Sequence, residues 1–154
     1  MTLTYLKVNS VKKFEFLIVM SNYSGAQESV RNLDTGTTTI GIKGKGFVIL
    51  GADRRATMGS LKASGEAVKV FDLSRNIGLT IAGSVGDAQK IVRIMRMQLR
   101  LHRLDVRDMS VKAAGTLLAN ILHANKFYPF YNQFILGGVD ADNGIGHVFD
   151  LDPI

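Results

Sequence analysis

The sequence predicts an α+β fold, and three observations carry that prediction. Alternating strand-like segments fill Thr37–Ala82, helical spacing of apolar residues takes over from about Gly83 to Phe127, and strand-like segments return at Gln133–Leu151. A run of strands, then two helices, then strands is not the regular alternation of a βαβ chain. At 154 residues, with 46% hydrophobic and 21% charged residues, the chain has enough apolar material for one core and is globular in composition.

Taken in order, residues 21–36 are polar, turn-prone and without period, and read as a flexible leader. Thr37–Lys43 alternates, Gly44-Lys45-Gly46 suits a tight turn, and Phe47–Ala52 is apolar, so the pair predicts a hairpin. Arg54–Ser64 is polar and glycine-punctuated, a loop with some extended structure. Val68–Leu73, a turn at Ser74-Arg75-Asn76 and Gly78–Ala82 predict a second hairpin. Gly83–Asp87 opens a helix that runs to about Arg103. Asp108-Met109-Ser110 offers capping residues for another, from Val111 to about Phe127, ended by Pro129. Gln133–Val139 and His147–Leu151 are the last strands, joined by a turn at Asp140–Gly144.

Composition removes several chemistries. With no cysteine, thiolate metal sites, disulfides and cysteine nucleophiles are excluded, and His102, His123 and His147 lack ligand-like spacing, so no metal or cofactor is expected. Near the start, Lys7, Lys12 and Lys13 precede Phe14–Met20, but the apolar run is short, broken by Glu15 and without a small-x-small cleavage site. Nothing approaches a membrane span, so a cytoplasmic protein is expected, whose translation start could be Met20. Net charge is +6, with Lys90, Arg93, Arg96, Arg100, Arg103 and Arg107 at three- and four-residue steps. Ile91, Ile94, Met95, Leu101 and Leu104 lean to another side of the same helix. Such a stripe suits a solvated face or an acidic protein partner. No aromatic platform or glycine-rich loop accompanies it to favour nucleic acid.

Candidate chemistry centres on Leu33-Asp34-Thr35-Gly36-Thr37-Thr38-Thr39. Cutting the Gly36–Thr37 bond gives Thr37 a hydroxyl nucleophile and a free α-amine on one residue. An α-amine titrates close to neutrality, so it can take the hydroxyl proton. The plainer reading is a threonine-rich strand start. Folding the first hairpin about Gly44–Lys45 sets Asp53 beside Thr37, and folding the second about Arg75 sets Gly83 near Lys69. Lys69, between Ala67 and Phe71 on an apolar strand face, would put a fixed ammonium near Thr37 and ease alkoxide formation. It could equally snorkel to water. Asp53 alone reads as a strand-end turn residue. Gly83 could aim backbone N–H groups at an oxyanion, helped by the helix that follows; the spacing and lysine of a phosphate-binding loop are missing.

Gly36–Gly41, Gly51-Ala52-Asp53-Arg54-Arg55-Ala56-Thr57, Lys69 and Ile81–Asp87 together resemble the proteasome β subunit family, archaeal type, over Thr37–Pro153. The resemblance implies a leader, 1–36, removed autocatalytically at Gly36–Thr37. It implies a triad of Thr37, Asp53 and Lys69, an oxyanion hole at the Gly83 N–H, and substrate alignment by Thr57 and Gly83. Ala56, Ala67, Ile81 and Val85 match the pocket for the side chain before the cut. All are uncharged, which implies cleavage after hydrophobic residues. The implied fold is the N-terminal-nucleophile αββα sandwich, present in part: 37–154 would be a C-terminally truncated peptidase domain without the second helical layer and last strands. A serine and an Asp-x-x-Ser pair of the family have no counterpart here. Implied partners are other β subunits in a ring, α-subunit rings, an ATP-dependent unfoldase acting indirectly, and unfolded polypeptide substrates. Two other readings stand beside a threonine endopeptidase: a non-catalytic fragment or assembly piece, and, remotely, a basic nucleic-acid-binding domain.

Overall fold

The computed structural model describes residues 15–21, 37–58 and 61–153. Most of the expected leader, including Gly36, therefore lies outside the described residues. Among the described residues, three groups of strands and two helices make up the fold. The first sheet is β1 (Glu15–Ser21), β2 (Thr37–Gly44) and β3 (Phe47–Ala52), antiparallel in that order. A short hairpin, β4 (Ala56–Met58) and β5 (Leu61–Ser64), stands apart. The second sheet is β6 (Val70–Asp72), β7 (Ile77–Gly83), β8 (Asn132–Val139) and β9 (Gly146–Leu151), antiparallel throughout. Helices α1 (Val85–Asp105) and α2 (Val111–Ala124) connect β7 to β8.

Strand alternation divides the second sheet's side chains between two cores. Ile77, Leu79 and Ile81 of β7 and Phe134 and Leu136 of β8 point to the helices, where Ala88, Ile91, Met95, Val111, Ala114 and Leu118 meet them. Val48 and Leu50 of β3 pack on Ile135 from the opposite face, so the two sheets lie one on the other. The layers are sheet, sheet, helices, which is the α+β arrangement predicted, in its ββα part. Close sheet contact needs small residues. A Cβ on Gly137 would fall 2.9 Å from Val48 and 3.0 Å from Leu50, shorter than carbon atoms tolerate. Phe134, fully buried among these layers, is the side chain whose loss leaves the largest void. Phe134→Ala is expected to cost about 3–5 kcal/mol, measured by denaturant unfolding.

Both helices start as their sequences suggest. Ser84 caps α1 by accepting the Asp87 N–H, and Ser110 caps α2 by accepting the Ala113 N–H at 3.2 Å. Asp140, in the β8–β9 turn, accepts the Val111 N–H at 2.7 Å and so ties α2 to the sheet it covers. α2 ends at Ala124, three residues short of the expected end, with the Asn125 side chain bonded back to the Ile121 carbonyl.

Two sequence expectations need correction. Leu101 and Leu104 do not share the buried side of α1: they are 54% and 83% exposed. At 21 residues the helix is about 30 Å long. Its buried positions end at Leu99, beyond which the last turns carry no buried residue. The basic stripe is also partly neutralised. The Arg96 guanidinium donates to the Asp72 carboxylate and carbonyl at 2.9 and 2.8 Å, and Arg107 pairs with Asp142 at 3.2 Å. Second, the segment after Lys13 is a strand. The sequence reading assigned it no element, because its pairing partner is far away in the chain.

Candidate active site

Each hairpin delivers a polar residue to the same end of the fold. β2 and β3 turn at Lys45-Gly46, with Gly46 at φ +80, and pair Thr39 with Ala52. One step beyond the ladder, the Asp53 N–H donates to the Thr38 carbonyl at 3.2 Å, and the Asp53 carboxylate accepts the Thr38 N–H at 3.1 Å. The carboxylate is held from its other side by the Arg55 N–H at 2.9 Å. Asp53 is thus a turn residue and a fixed anion at once. The two readings of it do not compete.

Lys69 enters from the second sheet. Val70 pairs with Thr80, and the Ile81 N–H donates to the Lys69 carbonyl at 3.0 Å, which sets the lysine at the start of β6. Its side chain does not snorkel: the residue is 6% exposed. Nζ donates to Thr37 Oγ1 at 2.8 Å, to the Asp53 carboxylate oxygens at 3.1 and 3.2 Å, and to the Arg55 carbonyl at 2.6 Å. Three acceptor groups match the three hydrogens of an ammonium. A buried cation is sustained only by such full pairing. Thr37 itself is 6% exposed, so its hydroxyl meets the ammonium away from bulk water.

Thr37, Asp53 and Lys69 are therefore brought together. The Arg55 carbonyl is a fourth participant that the sequence reading missed, and a backbone acceptor has no residue-type signature by which to find it. Gly83 ends β7 at φ +130, where a Cβ would fall 2.1 Å from the Tyr131 carbonyl oxygen. Only glycine fits there. The Ser84 N–H donates to that same carbonyl at 2.9 Å, and the Asn132 side-chain amide donates to the Ser84 carbonyl at 2.8 Å. The strand-to-helix corner is thus rigid, as a preorganised donor site requires. Gly83→Ala is expected to lower the thermal midpoint by several degrees, through steric clash and left-handed strain together. An unchanged melting curve would contradict the geometry.

The expected pocket residues are scattered in accessibility. Ala56 and Ala67 are half-buried near Asp53, the latter through its N–H to the Arg54 carbonyl at 2.9 Å. Ile81 is 1% exposed within the helix-facing core, and Val85 is 41% exposed on the first turn of α1. Thr57 lies on β4, described by its backbone alone. A cavity of about 390 Å³ lies elsewhere, lined by Val48 and Leu50 of the first sheet, Val70, Phe71 and Gly137 of the second, and the turn residue Asn76. Among the described residues no cluster of His, Asp and Glu is placed to hold a metal ion, and no helix is long and apolar enough to cross a membrane.

A chain with this site matches the family model described as proteasome subunit over residues 33–154. It is 45% identical over 120 residues to a proteasome subunit beta of Methanococcus maripaludis, covering 77% of this chain and 54% of that protein. It is 47% identical over 120 residues to one from Methanocaldococcus fervens, covering 77% and 53%. A third, from Methanocorpusculum labreanum, is 50% identical over 112 residues, covering 72% and 53%. The chain spans about half the length of these curated relatives, 54% and 53% of the first two. The family match covers β2 to β9, both helices and the positions of Thr37, Asp53 and Lys69, and leaves β1 outside it. The chain belongs to the proteasome subunit family and is of the archaeal β type.

Proposed function

We propose that this chain is a threonine endopeptidase subunit that cuts its own Gly36–Thr37 bond and then hydrolyses peptides with the unmasked Thr37. The observation that carries the reading is the Lys69 ammonium, 2.8 Å from Thr37 Oγ1 and bridged to Asp53. Once Thr37 is the first residue, its α-amine accepts the hydroxyl proton while Lys69 stabilises the oxygen that is losing it. Oγ1 attacks the scissile carbonyl, and the Gly83 N–H supports the resulting oxyanion. Collapse expels the amine half of the substrate, which takes the proton from the Thr37 amine. An ester on Oγ1 remains. Water, deprotonated by the same amine, then attacks the ester and returns the hydroxyl.

Thr57 and Gly83 would align the substrate as an added strand, a mode in which main-chain hydrogen bonds supply affinity. Ala56, Ala67, Ile81 and Val85 offer no charge to the residue before the cut, which favours hydrophobic side chains there. The chain would work in the cytoplasm within a ring of β subunits, stacked on rings of α subunits and supplied with unfolded polypeptide by an ATP-driven unfoldase. N-terminal sequencing of peptide-hydrolysing particles that contain this chain tests the reading. Mature chains should begin at Thr37; active particles that retain Gly36 on Thr37 would refute it.

A further inference from the structure

Gly83 carries the N–H that the proposed reaction needs, and the ladder around it shows where that N–H points. The bond from the Ser84 N–H to the Tyr131 carbonyl makes Gly83 and Asn132 a strand pair without mutual hydrogen bonds. The Gly83 N–H therefore faces away from β8, to the side on which the Ile81 N–H meets the Lys69 carbonyl. β6 begins only at Val70, and the Ala67 N–H turns to the Arg54 carbonyl at 2.9 Å. Among the described residues, no strand continues beside Gly83 on that side. A glycine at φ +130 has no side chain to hold this direction. Before it, the β7–β8 ladder fixes the backbone. After it, the direction depends on what holds Ser84.

Asn132 holds Ser84. Its Nδ2 donates to the Ser84 carbonyl at 2.8 Å, and that carbonyl also accepts the Ala88 N–H at 3.1 Å in the first turn of α1. Asn132 shares the face of β8 that carries Phe134 and Leu136, beneath the helices, and is 0% exposed. Its Oδ1 is buried as well and, among the described residues, has no hydrogen-bond partner. An unmade bond of that kind costs stability. Leucine, of similar size, would fill the place without it, so packing alone does not account for an amide here. Resting on the reading of Thr37 as nucleophile, we infer that Asn132 is a positioning residue for the same reaction. By gripping Ser84 it keeps the Gly83 N–H aimed at the oxyanion.

The experiment uses peptide-hydrolysing particles that contain this chain, carrying Asn132→Leu or, as a control for general loosening, Leu118→Ala in the buried core under α2. Asn132→Leu removes the donor and the unpaired acceptor together. Its melting midpoint should stay close to the parent's, while kcat falls at least about tenfold and KM stays within about twofold, as for an interaction made in the transition state. A peptide aldehyde, whose adduct with Thr37 sets an oxygen at Gly83, should bind at least about tenfold more weakly. The alcohol of the same peptide should bind as before. Amides of residues 83–87 should exchange about tenfold faster. Leu118→Ala should melt lower and keep the parent's ratio of aldehyde to alcohol affinity. If Asn132→Leu does not assemble, Asn132→Asp, which keeps the shape and removes the donor, is read in the same way. Unchanged kcat, unchanged exchange at these amides, or equal weakening of aldehyde and alcohol would overturn the inference. Activity that survives Thr37→Ala would instead refute the reading of Thr37, so the two can fail separately.

Discussion

Thr37→Ala is expected to leave the chain joined at Gly36–Thr37 and to abolish peptide hydrolysis, a loss of at least about 10³-fold. The hydroxyl is the only group at this position that can form the ester, and alanine supplies none. Thr37 is 6% exposed beside Lys69, so the substitution removes one acceptor from a buried ammonium that keeps Asp53 and the Arg55 carbonyl. The stability cost is therefore modest, about 1–3 kcal/mol for the unsatisfied hydrogen. Thr37→Ser separates the two effects, because it restores an oxygen at the same place. Intact-mass measurement for processing and a fluorogenic peptide assay for turnover check both. Residual cleavage by the alanine chain at more than a trace would remove Thr37 from the mechanism.

The second large effect is expected at Lys69. Lys69→Ala should reduce turnover by at least about 10³-fold, in line with the loss of a preorganised charge that stabilises developing oxyanion character. Here the fold also suffers. The carboxylate of Asp53 loses its cation, and breaking a buried pair from one side costs about 3–5 kcal/mol at full burial. Asp53 is 31% exposed, so the lower end or less applies. Lys69→Arg tests whether charge alone suffices. A guanidinium is a planar fork, not a compact point charge, and it cannot place one donor on each of three acceptors converging from different directions. The arginine chain is expected to fold better than the alanine chain and to be nearly as inactive. Recovery of more than a tenth of the activity would mean that the three-way contact is not what matters.

The parts of this site visible in the sequence were those set by local rules. Turn residues at Gly44–Gly46 and Ser74–Asn76 give two hairpin registers to within a residue or two: the sequence reading set Asp53 beside Thr37 and Gly83 near Lys69, where the structure pairs Asp53 with Thr38 and Lys69 with Ile81. Serine caps and apolar spacing located α1 and α2 to within a few residues. What could not be read depends on partners distant in the chain. Whether Lys69 snorkels or turns inward is decided by Thr37, Asp53 and Arg55 meeting it from three directions, and only the tertiary fold says so. Strand β1 carries its signal in a register with β2 across the whole of residues 22–36. Leu101 and Leu104 have core-like spacing on α1, but a helical period cannot tell where the sheet beneath the helix stops. The β4–β5 hairpin fell in a stretch read as a loop with some extended structure, and its pairing was not legible because its strands are only three and four residues long.

The central claim is that the Thr37 hydroxyl, paired with the Lys69 ammonium, is the group that attacks carbonyl carbon. Covalent trapping tests it most directly: active particles are treated with a peptide carrying a hydroxyl-reactive vinyl sulfone, and the modified residue is mapped by tandem mass spectrometry. The account predicts a single adduct on Thr37, formed in step with loss of activity and absent from the Lys69→Ala chain. Activity lost to an adduct on any other residue, or Thr37 labelled equally fast without Lys69, would contradict it.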